Sequence, residues 1–289
     1  MRMFKYLHSD RVDVLTGKRI CFSPPKNLND PFEMKPPMSY EGFMGMTALD
    51  DAGIDQILKK TVEEHFTADQ IRMLGPSYLE AFRSQLKTST ASLIKNRVEQ
   101  IAEGLYEATN RHIGMLCLSE RQDDILMWAH YTNSHEGYVV EFDPDHAFFN
   151  CKVSDIDELR HLRRVHYSDQ RPDLSVESAT DMRAFLTKSS HWSYEAEWRI
   201  LGALKDASEV ISLPDRNIHL FGFPSEAVKS VTIGCRASVA TSEAILSALA
   251  ADDYFNTVPV FQAVPDKTAF KLNIVEISRA DDFVPQFAS

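Results

Sequence analysis

The chain has 289 residues, of which 44% are apolar and 25% charged. These are ordinary globular proportions, and they exclude a disordered tail, a collagen and a disulfide scaffold. A count of 31 Lys plus Arg against 42 Asp plus Glu gives a formal charge of −11, which argues against a surface holding duplex DNA by charge alone but leaves room for a local basic cleft.

The length allows one large domain or two small ones, with enough burial to need no metal or crosslink. Cys21, Cys117, Cys151 and Cys235 lack any C-x-x-C spacing and are expected to be free thiols in a reducing compartment. No window approaches 18 consecutive apolar residues, and the N-terminus lacks the apolar core of a signal peptide, so a soluble cytoplasmic protein is expected.

Residues 3–7 read as a strand. Ser9 is placed to cap a short helix over 10–15, with Gly17 as its stop. Residues 19–23 read as a second strand, ended by Pro24 and Pro25. The stretch KNLNDPFE at 26–33 combines turn formers with Leu28 and Phe32 and reads as an ordered loop. Residues 34–47 carry Pro36, Pro37, Gly42 and Gly45 and read as irregular.

Helical spacing of Ile54, Ile57, Leu58 and Val62, and of Ile94, Val98, Ile101 and Leu105, predicts two to four helices over about 48–112, punctuated by Gly75 and Pro76. Strands are then predicted over 113–118, 137–142, 162–167, 194–204 and 230–234. Helices are predicted over 124–132, 180–189 and 238–250. Two last strands near 258–264 and 269–277 form a hairpin around Asp266–Lys267. The expected architecture is a single α+β domain over 1–289 with a mixed, mostly antiparallel sheet and a helical insertion at about 48–112.

G-x-G-x-x-G, Walker A, H-E-x-x-H and G-x-S-x-G motifs are all absent. The run HWSYEAEWR at 191–199 carries the strongest chemical signal. On a strand, Glu195, Glu197 and Arg199 share one face. This is either a solvent-facing ion-pair ladder or a cleft in which Arg199 keeps one carboxylate ionised. Trp192, Tyr194 and Trp198 favour the cleft, because aromatics offer a stacking surface. His130 and Tyr131 lie at the end of a helix just before a strand, where sites are commonly built. Asn29, Asp30 and Glu33 read either as a shaped turn or as hydrogen-bonding groups for a ligand amide or ribose. Asp143, Asp145 and His146 read as a turn, and no metal is expected.

Ordered blocks now carry a resemblance: FKYL at 4–7, FSPPKNLNDPFE at 22–33, LCLSE at 116–120, MWAHYTNSHEGYVVEFD at 127–143, HWSYEAEWRI at 191–200 and FPSEAVKSVTIG at 223–234. They resemble a bacterial family catalogued as domain of unknown function 2971. The layout is also similar to the ADP-ribosyltransferase superfamily, although His-x-Thr, Arg-Gly and Ser-Thr-Ser blocks are missing.

The superfamily resemblance implies NAD as substrate, with Tyr6 at a first position, His130 or Tyr131 at a second and Glu197 at a third. Glu197 would stabilise a ribosyl cation, Glu195 would orient or deprotonate an acceptor, and Arg199 would hold a carboxylate or a pyrophosphate. Tyr131 or Trp192 would stack on nicotinamide, while Tyr6 and Asn29 would fix its amide and ribose. An unidentified macromolecular acceptor, or water, completes the reaction, in the manner of a toxin or phage-defence effector. Two other readings stand beside this one: a non-catalytic binding or sensor module, and a metal-dependent nuclease using Glu195, Glu197 and Asp143. The lack of a lysine next to those carboxylates in sequence weighs against the nuclease.

Overall fold

The computed structural model describes residues 1–35, 51–65, 67–172 and 182–277. The chain is α+β, built around a mixed, mostly antiparallel sheet. Thirteen strands are described: β1 (Met3–Leu7), β2 (Arg19–Cys21), β3 (Ile113–Ser119), β4 (Tyr138–Phe142), β5 (Arg163–Arg164), β6 (His166–Ser168), β7 (Thr187–Ser189), β8 (Glu197–Ala203), β9 (Glu209–Ser212), β10 (Asn217–Gly222), β11 (Val228–Ile233), β12 (Val260–Pro265) and β13 (Leu272–Glu276). The described α-helices are α1 (Asp13–Gly17), α2 (Asp51–His65), α3 (Ala68–His112), α4 (Ile125–Tyr131), α5 (Arg183–Leu186) and α6 (Val239–Ala250).

Eight strands form the main sheet, in the order β13-β12-β11-β4-β1-β3-β8-β5. Only β11 and β12 run parallel within it, because α6 supplies the crossover that a parallel pair requires. The hairpin β12–β13 is antiparallel and closes around Asp266, whose Oδ1 accepts from the Thr268 and Ala269 amides. A smaller sheet of β2, β10 and β9 and the parallel pair β6–β7 complete the strands.

Alternation along the strands gives the sheet two apolar faces. Met3, Leu7, Val140, Phe142, Val231 and Ile233 pack with Leu15 of α1 and Ile245 and Leu249 of α6. Phe4, Tyr6 and Val139 face the other way, onto Met127 and Trp128 of α4.

Two compact units are distinguished. One holds 1–33, 109–170 and 185–289, and the other 34–108 with 171–184. In the second unit α2 and α3 are joined by Arg83 to Asp51 and Asp55 and by Lys87 to Asp51.

Several boundaries depart from expectation. The first helix is Asp13–Gly17 with no side-chain cap, and Lys18, not Gly17, takes the left-handed closing conformation. Gly75 and Pro76 do not interrupt α3. The helix expected at 180–189 is α5 alone, after which Thr187–Ser189 pairs with His166–Ser168. The strand expected from 194 begins at Glu197, because Ser190–Glu195 forms a 3-10 helix that ends on Ala196 in the left-handed region, φ 43°. Two strands, β9 and β10, have no counterpart in the expected order. The irregular stretch at 34–47 lies outside the described residues from position 36 onward, as do the first two residues of 180–189.

Candidate functional site

The main sheet has a weak seam. Strands β1 and β3 share one register pair, Phe4↔Ser119. Beyond it Lys5 Nζ reaches across to the Cys117 carbonyl at 3.1 Å, and β3 is met instead by Ser23 opposite Met115. A cavity of about 260 Å³ occupies this opening. Its apolar wall includes Phe4, Tyr6, Leu28, Met115, Leu118 and Met127. Its polar wall includes Asn29, Glu33, Tyr131, Lys188, Glu195 and Glu197.

Each polar group arrives for a local reason. Asp124 caps α4 by accepting from the Leu126 and Met127 amides, as a short acidic side chain at that position should. The helix is anchored by Trp128, fully buried, whose Nε1 donates to the Gln122 carbonyl at 2.7 Å. That anchoring carries Tyr131 to the cavity. Asp30 accepts from the Phe32 amide in an Asx turn and its carbonyl accepts from the Glu33 amide, which turns Glu33 inward. Lys188 is the middle residue of β7. The left-handed Ala196 separates the two glutamates, so that Glu195 leaves a 3-10 turn and Glu197 enters a strand. Ser119 Oγ donates to the Glu195 carbonyl at 2.6 Å and pins the turn to β3.

The resulting network is almost wholly enclosed. Lys188 Nζ lies 2.6 Å from Glu195 Oε2 and 3.2 Å from Glu197 Oε2. Arg199 Nε donates to Glu197 Oε1 at 2.7 Å, Nη2 donates to Glu197 Oε2 at 2.9 Å and to Glu33 Oε1, and Nη1 donates to the Phe185 carbonyl. Tyr131 donates to Glu195 Oε1 at 2.5 Å and accepts from Asn29 Nδ2 at 2.7 Å. Glu195, Glu197, Glu33 and Lys188 are buried, and Arg199 is 0% exposed.

The carboxyls separate in acidity. Burial pushes Glu197 up, but Arg199 and Lys188 outweigh it and hold this group well below its ordinary 4.5. Burial prevails at Glu195 and at Glu33, so both lie above that value despite their cations. Burial works against the charge on Lys188, yet Glu197, Glu33 and Glu195 keep it ionised. Burial, and then Glu195, raises the Tyr131 phenol. Tyr131 therefore remains a donor. Glu197 is a fixed anion, and Glu195 is a carboxylate whose protonation a ligand can change.

The eight residues singled out in the sequence do not all meet. Tyr6, Asn29, Tyr131, Glu195 and Glu197 line the cavity, and Arg199 backs it through Glu197 and Glu33. The Tyr6 hydroxyl donates its proton to the Arg121 carbonyl at 2.7 Å, so it has no donor left for a ligand amide or ribose. Arg199, enclosed by two carboxylates and a carbonyl, acts on the cavity through Glu197. His130 is exposed, hydrogen-bonded to the Tyr194 hydroxyl at 3.0 Å, and lies off the cavity wall. Trp192 also lies off the wall, its ring 5.0 Å from the Lys188 ammonium.

Sequence reasoning passed over Lys188. Read as helical, its segment gave no face to assign it to, and a parallel pairing with β6 leaves no local signature. Its position bears on the nuclease reading. The lysine missing beside those carboxylates in sequence is supplied in space by Lys188, which removes that argument against a nuclease, although its ammonium is bonded to both Glu195 and Glu197 and Asp143 is engaged elsewhere, with Lys229 at 2.9 Å. Among the described residues no group of three or more His, Cys, Asp or Glu is arranged to hold a metal.

A family model described as a protein of unknown function (DUF2971) matches residues 127–200. The matched segment runs from Met127 of α4 to Ile200 of β8, and so contains Tyr131, Lys188, Glu195, Glu197 and Arg199. No curated protein and no solved structure matches the chain. Among the described residues no helix is long and apolar enough to cross a membrane.

Proposed function

We propose that the cavity cleaves the nicotinamide–ribose bond of NAD, on a scaffold of ADP-ribosyltransferase type, and passes the ribosyl group to water or to a macromolecular acceptor. The observation that carries this reading is Glu195. Its buried carboxylate is oriented by Tyr131 and Lys188 on the wall of an aromatic cavity, at the point where the sheet opens. The cavity lies near the lower end of small-molecule sites, roughly 300–1,000 Å³. It suits a flat ring and its sugar, with the remainder of the dinucleotide outside.

The chemistry follows from charge. As the bond breaks, its electron pair returns to the pyridinium nitrogen and positive charge develops on the ribose. A preorganised carboxylate stabilises that charge, as in glycoside hydrolysis. Glu195 suits this role better than Glu197. The Glu197 carboxylate is bonded by two cations, Arg199 and Lys188, which neutralise it, and by the Cys117 thiol, whereas Glu195 receives one cation and one neutral phenol. Its raised pKa then lets it accept the proton that the attacking acceptor releases. Glu197 and Arg199 become the rigid base on which Lys188 stands.

The test is nicotinamide release from NAD, followed by chromatography, with a mass-spectrometric search for ADP-ribose adducts in cell extract. Glu195→Gln is expected to lower release by about 100- to 1,000-fold while retaining NAD binding. Binding of NAD without release by the wild-type protein identifies a non-catalytic module instead, and the absence of both overturns the proposal.

A further inference from the structure

Within the buried network each carboxylate oxygen can be accounted for. Both oxygens of Glu195 and both of Glu197 accept hydrogen bonds, and Glu33 Oε1 accepts from Arg199. Glu33 Oε2 is the exception. It is enclosed and has no hydrogen-bond partner, and Lys188 Nζ stands 3.9 Å away. The Glu33 side chain is 1% exposed, and the residue lines the cavity. A buried acceptor left open is costly, and more so when charged. Such a group persists where something else completes it. Phe4, Tyr6 and Met127 line the same cavity, so a donor carried on an aromatic ring would meet apolar surface as well as this oxygen.

We infer that Glu33 is the specificity-determining residue of this cavity, and that its Oε2 accepts an N–H from a carboxamide carried directly on an aromatic ring. This rests on the NAD-cleavage reading and sharpens it. The amide of nicotinamide would be held by Glu33, a group anchored by Arg199, while the bond-breaking end faces Glu195. A ring bearing a carboxylate would meet the same oxygen as a like charge. A ring bearing a ketone would leave it unpaired.

The test uses small probes with the full chain. Nicotinamide and 3-acetylpyridine are close in shape and both neutral, but the second carries a methyl group where the first has its amino donor. Dissociation constants measured by ligand-observed NMR should favour nicotinamide at least about tenfold in the wild-type protein. Glu33→Gln keeps an oxygen for Arg199 and offers an amino group to the ligand, so that ratio should fall to about one. Circular dichroism establishes that the variant is folded. Equal affinities in the wild-type protein, or no nicotinamide binding, overturn the role of Glu33 whether or not the variant folds. So does a variant that weakens both probes equally, which marks a purely structural part. Selective binding that depends on Glu33, with NAD left intact, upholds Glu33 and refutes cleavage. Cleavage with equal probe affinities does the reverse.

Discussion

Arg199 illustrates how costly this arrangement is to disturb. Its guanidinium has no exposed surface and satisfies Glu197, Glu33 and the Phe185 carbonyl. Arg199→Met leaves two buried carboxylates undercompensated, and breaking such a pair costs about 3–5 kcal/mol. Urea denaturation should show that loss, and an unchanged midpoint would mean that the guanidinium is not enclosed.

Glu197 gives a signature in acid. Its pKa is depressed in the folded state, so its contribution is present above the unfolded value near 4.5 and is lost as pH falls through the lower folded value. Wild-type stability should therefore decline below about pH 4.5 with a limb that Glu197→Gln flattens.

Glu195 behaves oppositely, because its folded pKa is raised. If it acts as a carboxylate, nicotinamide release should fall on an acidic limb lying above 4.5. Lys188→Met removes a cation that favours the anion, so that limb should move to higher pH. A limb that stays in place would separate Lys188 from the reacting carboxylate.

Short elements do the positioning. Helix α4 has seven residues, too few to be stable alone, and it is held by Asp124 at one end and buried Trp128 in the middle. Asp124→Ala should cost about 1 kcal/mol. Trp128→Ala should cost about 3–5 kcal/mol and release Tyr131 from Glu195. Thermal melts of the two variants give the ranking, and equal losses would contradict it. After α4 the chain turns through Gly137, where a Cβ would run into the Leu7 carbonyl oxygen. A side chain there would displace β4 from β1.

The elements legible in the sequence were those with a local signature. These include the capped α4, the hairpin at Asp266, the apolar β4 and the helix begun by Ser238. The strand pair β9–β10 went unread because β9 is mostly exposed and β10 buries only Leu220, so alternation is faint.

At the scale of the molecule, the two units differ in how they are held. The sheet unit has an apolar layer on each face. In α2 and α3 the buried apolar side chains described are Ile54 and Val98, and the links between the helices are exposed ion pairs. Exposed pairs contribute little and are screened by salt. Hydrogen exchange read by mass spectrometry should find amides of 51–108 exchanging well before those of β1, β3, β4 and β11. Added salt should widen the gap. Simultaneous exchange would show that the helices share the stability of the sheet.

By itself, the sequence determined the class of the fold, the helical segment inside it and five of the six polar groups named on the cavity wall, since periodicity, caps and turns are written within a few positions. It could not show that Lys188 stands between Glu195 and Glu197, that Glu33 shares Arg199 with Glu197, or that His130 and Trp192 lie off the cavity wall. Those facts join residues up to 166 positions apart. Only strand order and the parting of β1 from β3 bring them together, and the balance of burial against the neighbouring cations then gives each carboxyl its own acidity.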